Sequence, residues 1–143
     1  MATMNQLSKL YILLIVTLIG LTSCNIDEPD GKWDKMKWKN IDNLSKVNNI
    51  YVIPKEGGTF TFECKNYTPW LADVIVNGEH QDLLTNENRK AYKNDWFEVK
   101  ITDKNVVFTF DEIEEPMTTR RVEVVATAGD IFDTFHFQQE NCP

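Results

Sequence analysis

The stretch Arg120–Gln139, RRVEVVATAGDIFDTFHFQQ, alternates apolar and polar residues on both sides of Gly129-Asp130. Side chains of a strand point to opposite faces in turn, so this pattern reads as a β-hairpin with one buried face. A two-residue turn at Gly129-Asp130 pairs residues whose numbers sum to 259. One face then carries Val122, Val124, Ala126, Ala128, Ile131, Phe135 and Phe137, with Asp133 as the only polar intruder. A slip of one residue would mix the two sets, so the register is strongly specified.

The same period runs through the rest of the chain from about Asn49. IYVIP (50–54) is a short strand, and Gly57-Gly58 turns into the alternating TFTFEC (59–64). WLADVIV (70–76) ends at Asn77-Gly78, and residues 79–95 read as a long polar loop with one short element near Asp82–Leu84. In WFEVKITDKNVVFTF (96–110), a turn at Lys104-Asn105 sets Val99 opposite Phe110 and Ile101 opposite Phe108. Each hairpin buries one face, and two sheets packed face to face satisfy both. The fold class expected is all-β: an immunoglobulin-like sandwich of about seven antiparallel strands.

The N-terminus follows a different logic. Lys9 is the only charged residue before Cys24, and LYILLIVTLIGL (10–21) is apolar. A helix of about a dozen residues rises only some 18 Å, short of a bilayer core of about 30 Å. A positive start, a short apolar run and small residues at its exit describe a secretory signal. Leu21-Thr22-Ser23-Cys24 resembles the bacterial lipobox, in which the cysteine sulfur takes up lipid. Cleavage before Cys24 removes residues 1–23 and leaves 120 of the 143. Several acyl chains on one cysteine anchor stably where one would not. The alternatives are an uncleaved single-span anchor or a buried helical hairpin. Asn25–Gly31, NIDEPDG, holds one apolar residue and reads as a solvated tether. Its acidic cluster resembles the surface-export signal of Bacteroidetes lipoproteins, and so implies an outer-membrane, lipid-anchored, cell-surface location. Three segments result: signal peptide 1–23; lipidated cysteine, tether and Trp-bearing arm 24–48; sandwich 49–143.

Charge and cysteines narrow the partners. The whole chain carries −7, and loss of Lys9 with the signal makes the remainder −8. Such a surface argues against nucleic acid and anionic lipid headgroups. Beyond Cys24, Cys64 and Cys142 remain in a disulfide-permissive compartment. They form either a bridge or two separate thiols, Cys64 then being buried as a small hydrophobe.

GGTFTFECKNYTPW (57–70), DWFEVKI (95–101), VVFTF (106–110), an Arg pair and the closing TFHFQQ (134–139) resemble the BACON domain, over roughly residues 49–140. Gly57-Gly58 match its double glycine. Trp96-Phe97 stands where that family has Trp-Leu, and Arg120 or Arg121 and Gln138 or Gln139 match its later positions. DEIEEPMTT (111–119) replaces an Asn-bearing loop. The resemblance implies an immunoglobulin-like module of Bacteroidetes surface lipoproteins, tied to glycan or mucin binding or to a spacer role.

Sugar rings stack apolar C–H faces on aromatic side chains and seek polar partners for their hydroxyls. Trp96, Tyr92, Trp70 and Arg89 are the candidate platform, with Asn94 and Asp95 beside them. The alternative is that Trp70 and Trp96 close the ends of the sandwich. Trp33 and Trp38 in KWDKMKWKN either offer an interface or drape over the base of the domain under lysine stems. His80 and His136 are the only histidines, and no Ser-His-Asp order, HExxH or CxxC occurs. Asp111, Glu112, Glu114 and Glu115 lack the spacing of an ordered calcium loop. No catalytic residue, metal ligand or cofactor is expected. The expected function is a non-enzymatic, lipid-anchored binding module. The alternative is an assembly lipoprotein that contacts other envelope proteins. Partners are then the membrane, through the N-terminal lipid, and a glycan or an envelope protein.

Overall fold

The computed structural model describes residues 32–83 and 89–142. The lipobox-like stretch, Cys24 and the acidic tether lie outside the described residues, as does Leu84 of the expected short element. A compact unit spans Asp34–Pro143, beginning ahead of the Asn49 boundary read from the alternating pattern.

Among the described residues there are eleven strands: β1 (Trp38–Asn40), β2 (Lys46–Val47), β3 (Ile50–Ile53), β4 (Gly58–Cys64), β5 (Trp70–Val76), β6 (Glu79–His80), β7 (Ala91–Lys93), β8 (Phe97–Thr102), β9 (Asn105–Phe110), β10 (Thr118–Thr127) and β11 (Phe132–Asn141). Seven of them have four residues or more. They form a five-stranded sheet, β1-β4-β9-β8-β7, and a six-stranded sheet, β2-β3-β11-β10-β5-β6. The four edge strands β1, β7, β2 and β6 have two or three residues each, which limits edge-to-edge pairing with other chains.

The β10–β11 hairpin pairs Val122 with Phe137 and Thr127 with Phe132, the register that the alternation specifies. Val122, Val124, Ala126, Phe135 and Phe137 are buried in one core cluster. The β8–β9 hairpin differs from expectation. Val99 pairs with Phe108 and Ile101 with Val106, a shift of two residues. The turn is Asp103-Lys104 rather than Lys104-Asn105, with Asp103 at φ 53°. Aspartate tolerates that left-handed backbone better than most residues. A shift of two preserves parity, so the buried face is unchanged. A second correction concerns strand direction. β3 runs parallel to β11, Tyr51 beside Phe137, and so the body is not wholly antiparallel. After β3 the chain crosses to the other sheet as β4, and no tight turn links β3 to β11 to force antiparallel pairing.

The core joins the sheets through aromatic rings. Phe62 and Phe108 from one sheet meet Phe135 and Phe137 from the other, with centroids 4.6–6.4 Å apart. β1 was not visible as an alternating segment, yet Trp38 belongs to this core. Its ring sits edge-on to Phe135 at 4.8 Å, and its Nε1 donates to Asp133 at 2.9 Å. Asp133, the polar intruder on the apolar face, is thus the acceptor that lets a tryptophan lie there. Trp33 differs, being 64% exposed.

Gly57 closes the turn before β4 at φ +75°, and its N–H donates to Pro54 O. A Cβ here would lie 2.1 Å from Phe110 O. Gly57→Ala is therefore expected to destabilise the fold by more than about 1 kcal/mol, from backbone strain and steric clash together. Urea denaturation checks this, and an unchanged midpoint would contradict the turn geometry. Gly78→Ala meets no atom within 4 Å and carries only the φ cost, at +88°.

Candidate functional site

The four candidate platform residues do not gather. Trp96 precedes β8 in a turn fastened by Asn94, whose Oδ1 accepts from Trp96 N at 3.0 Å and Phe97 N at 2.7 Å. Its indole is half-buried against the core, and the Arg120 guanidinium lies over it at 4.7 Å. The outward orientation implied by buried Phe97, Val99 and Ile101 is thus cancelled: a cation already occupies a ring face. Trp96 closes one end of the sandwich.

Trp70 lies at the other end. It opens β5 and pairs with Thr127, while Arg120, over Trp96, sits seven residues back along the same β10. At about 3.3 Å per residue the two tryptophan sites are roughly 23 Å apart. Arg89 is on the Trp70 side: its carbonyl accepts from Leu71 N at 2.8 Å, and neighbouring Lys90 Nζ reaches Pro69 O at 2.6 Å. Arg89 is exposed, with φ 45°.

Tyr92 belongs to neither end. It pairs with Val99 on edge strand β7, and its hydroxyl donates to Gln81 Oε1 at 3.0 Å. Burial raises its phenol above the ordinary range, Asp95 adds to this, and a hydrogen bond with Asn94 opposes it. Tyr92 therefore ties the sheet edges together instead of facing a ligand.

Of the Arg120/Arg121 and Gln138/Gln139 pairs, Arg120 and Gln139 turn toward the acidic loop, while Arg121 and Gln138 bond each other on the outer face. Gln139 is buried; its Nε2 donates to Pro54 O at 3.0 Å and Asp111 O at 2.9 Å. Arg120 reaches Asp111 O at 3.2 Å, and Asn141 Nδ2 reaches Ile113 O and Glu115 O at 3.1 and 2.9 Å. These side chains pin the acidic loop Asp111–Met117 by its carbonyls. The sequence singles out Arg120 and Gln139 but not Asn141; the structural part of all three is seen only in the fold.

Cys64 is buried and Cys142 exposed, and both are free thiols. The two cysteines are not bridged in the structure: Glu63, beside Cys64, pairs with Asn105 at the start of β9, whereas Gln139, three residues before Cys142, meets Asp111 O just past the other end of β9. Cys142 lines an open groove of about 480 Å³ with Val47, Ile50, Val52, Gln138 and Glu140.

The outer face of the six-stranded sheet carries the His136–Glu123 pair that the hairpin register sets face to face, and beyond it an aromatic pair that sequence reasoning passed over. His136 faces Glu123 at 3.6 Å, and His80 Nδ1 lies 2.6 Å from Asp73 Oδ2. Further along, Phe132 pairs with Thr127, which pairs with Trp70. Directly paired residues point to the same side, so the two aromatics flank one threonine on the outer face. Phe132 is 63% exposed. Trp70 is half-buried but, unlike Trp96 and Tyr92, is not packed on the core cluster. The signal was present: Phe132 falls on the polar set of the hairpin.

No family model matches the chain, and no curated protein does. A solved NMR structure of a protein from Bacteroides thetaiotaomicron is similar to it, with 32% sequence identity and a TM-score of 0.66. The match covers 82% of this chain and 97% of that one.

Proposed function

We propose, for a chain that belongs to one family with this Bacteroides thetaiotaomicron protein, that it is a non-enzymatic lipoprotein presenting an immunoglobulin-like binding module for glycans at the outer-membrane surface. The observation that carries this reading is the lipobox-like Leu21–Cys24 set ten residues ahead of Asp34, where the compact unit begins. Ten residues reach at most about 36 Å. An acylated Cys24 thus keeps the module close to the bilayer, and a negative body is held off anionic lipid. Strand order supports the immunoglobulin-like assignment. β1-β4-β9-β8 takes the places of strands A, B, E and D, and β5, β10 and β11 those of C, F and G. Such a body offers sheet faces and loops for binding, and the glycan class follows from the BACON resemblance together with an exposed aromatic face.

Two measurements test it. Intact mass from the native cell should show a chain starting at Cys24 and bearing acyl groups; a species that keeps Met1–Ser23, or lacks acyl mass, overturns the anchoring. A glycan array probed with the protein should retain a glycan. If none is retained and cross-linking in cells captures an envelope protein, the assembly role replaces the binding role.

A further inference from the structure

We propose that Trp70 and Phe132 form a binding platform for an extended, neutral oligosaccharide lying across β5, β10 and β11 on the outer face of the six-stranded sheet. This deepens the glycan reading above and rests on it. The two rings sit in one row, with Thr127 between them. Two inter-strand steps separate them, about 10 Å, a span longer than one sugar ring. The site therefore takes a chain and not a monosaccharide.

Thr127 fills the space between the rings. It is 4% exposed although it points outward, and its hydroxyl donates to Gly129 O at 2.8 Å and Ile131 O at 2.9 Å. Its polar group is thus satisfied inside the protein, and the strip between the aromatics is left without a competing donor. Apolar C–H faces of two sugars can rest on the rings at either side. Hydroxyl partners stand in the next row, some 7 Å along the strands. That row holds Thr134, Val125 and Asp73, and Asp73 is oriented by His80. Arg89, exposed beside Leu71, borders the row from the loop side. Charges of both signs surround the strip, and the body is strongly negative overall. A neutral glycan fits this better than an acidic one. The sheet face is open and not a cleft, which suits an extended chain whose sugars present flat faces in succession.

Titration of the full chain with cellohexaose, an extended neutral β-linked hexasaccharide, tests this by calorimetry and by amide NMR shifts. Binding is expected, with shifts concentrated in β5, β10 and β11, and with glucose at least tenfold weaker. Phe132→Ala and Trp70→Ala should each weaken cellohexaose at least tenfold, and Tyr92→Phe should leave it within twofold. Phe132 is largely exposed, so its variant stays decisive if Trp70→Ala perturbs folding. Absence of cellohexaose binding overturns the proposal, as does wild-type affinity in the Phe132 variant. In both cases a positive glycan array would leave the broader glycan reading standing; an empty array would remove both.

Discussion

Phe108→Ala is expected to lower the unfolding free energy by about 4 kcal/mol, the largest effect of any single substitution argued for this chain. Phe108 is 0% exposed. Its ring lies 5.7 Å from Phe62 in its own sheet, and 5.0 and 4.6 Å from Phe135 and Phe137 in the facing one. Truncation removes the ring that most directly joins the two layers. The cost has two parts, lost transfer of the ring out of water and a cavity that packed neighbours fill only in part. Against a typical total stability of about 5–15 kcal/mol this is a large fraction. Phe108→Leu keeps much of the volume and should cost roughly 1–1.5 kcal/mol. Urea denaturation followed by circular dichroism measures both. The midpoint should fall steeply for alanine while the slope stays constant, as for a change in stability without a change in exposed area. A loss below about 1 kcal/mol for alanine would mean that the sheets are not held together through this cluster.

How far the fold can be read from sequence depends on what each residue pattern constrains. In β10–β11, long alternation on both arms and a glycine at the turn constrain parity and offset together, and the register holds from Thr118–Asn141 to Thr127–Phe132. In β8–β9 the apolar residues constrain parity alone. Registers two residues apart bury the same side chains, and the choice between them rests on which residue accepts a positive φ; here it is Asp103. β1 is three residues long and has no period to detect. Its one trace was indirect, in Asp133, which waits on an apolar face for the Trp38 N–H. The candidate site was less legible. Alternation gives the face of a side chain but not what covers it. Trp96 follows the outward parity and still lies under Arg120, contributed by a strand of the other sheet. Trp70 and Phe132 are 62 positions apart in sequence and become neighbours across Thr127 only through the β5–β10 pairing.

Gln139→Ala is expected to cost about 3 kcal/mol, close to the loss from a core aromatic although the residue is polar. Gln139 is 1% exposed, and its amide nitrogen serves Pro54 O, Lys55 O and Asp111 O at 3.0, 3.3 and 2.9 Å. Its Oε1 meets Arg120 at 3.5 Å. Among the described residues no buried side-chain polar atom lacks a partner. Removing this amide takes one donor from each of three carbonyls, which keep Gly57 N–H, Ile113 N–H and Arg120 Nη1 as their remaining partners. Each net hydrogen bond lost costs about 0.5–1.5 kcal/mol, and the cavity left by the side chain adds to it. Gln139→Leu separates the two causes, since it restores volume but not donors; it should recover no more than about 1 kcal/mol. Gln138→Ala is the control. Gln138 projects from the outer face, bonds Arg121 and Glu140, and should change stability by less than about 1 kcal/mol. If the leucine variant were as stable as wild type, volume and not hydrogen bonding would hold this end. The loop Asp111–Met117 should loosen with the alanine variant, seen as faster amide exchange at Ile113, whose N–H donates to Lys55 O. Trp96 should redden in fluorescence as the loosened loop, which holds Arg120 through Asp111 O and Glu112 O, lets the guanidinium shift and the ring meet water. These local changes would appear at one end of the sandwich and leave the Trp70–Phe132 face, roughly 23 Å away along β10, unaltered.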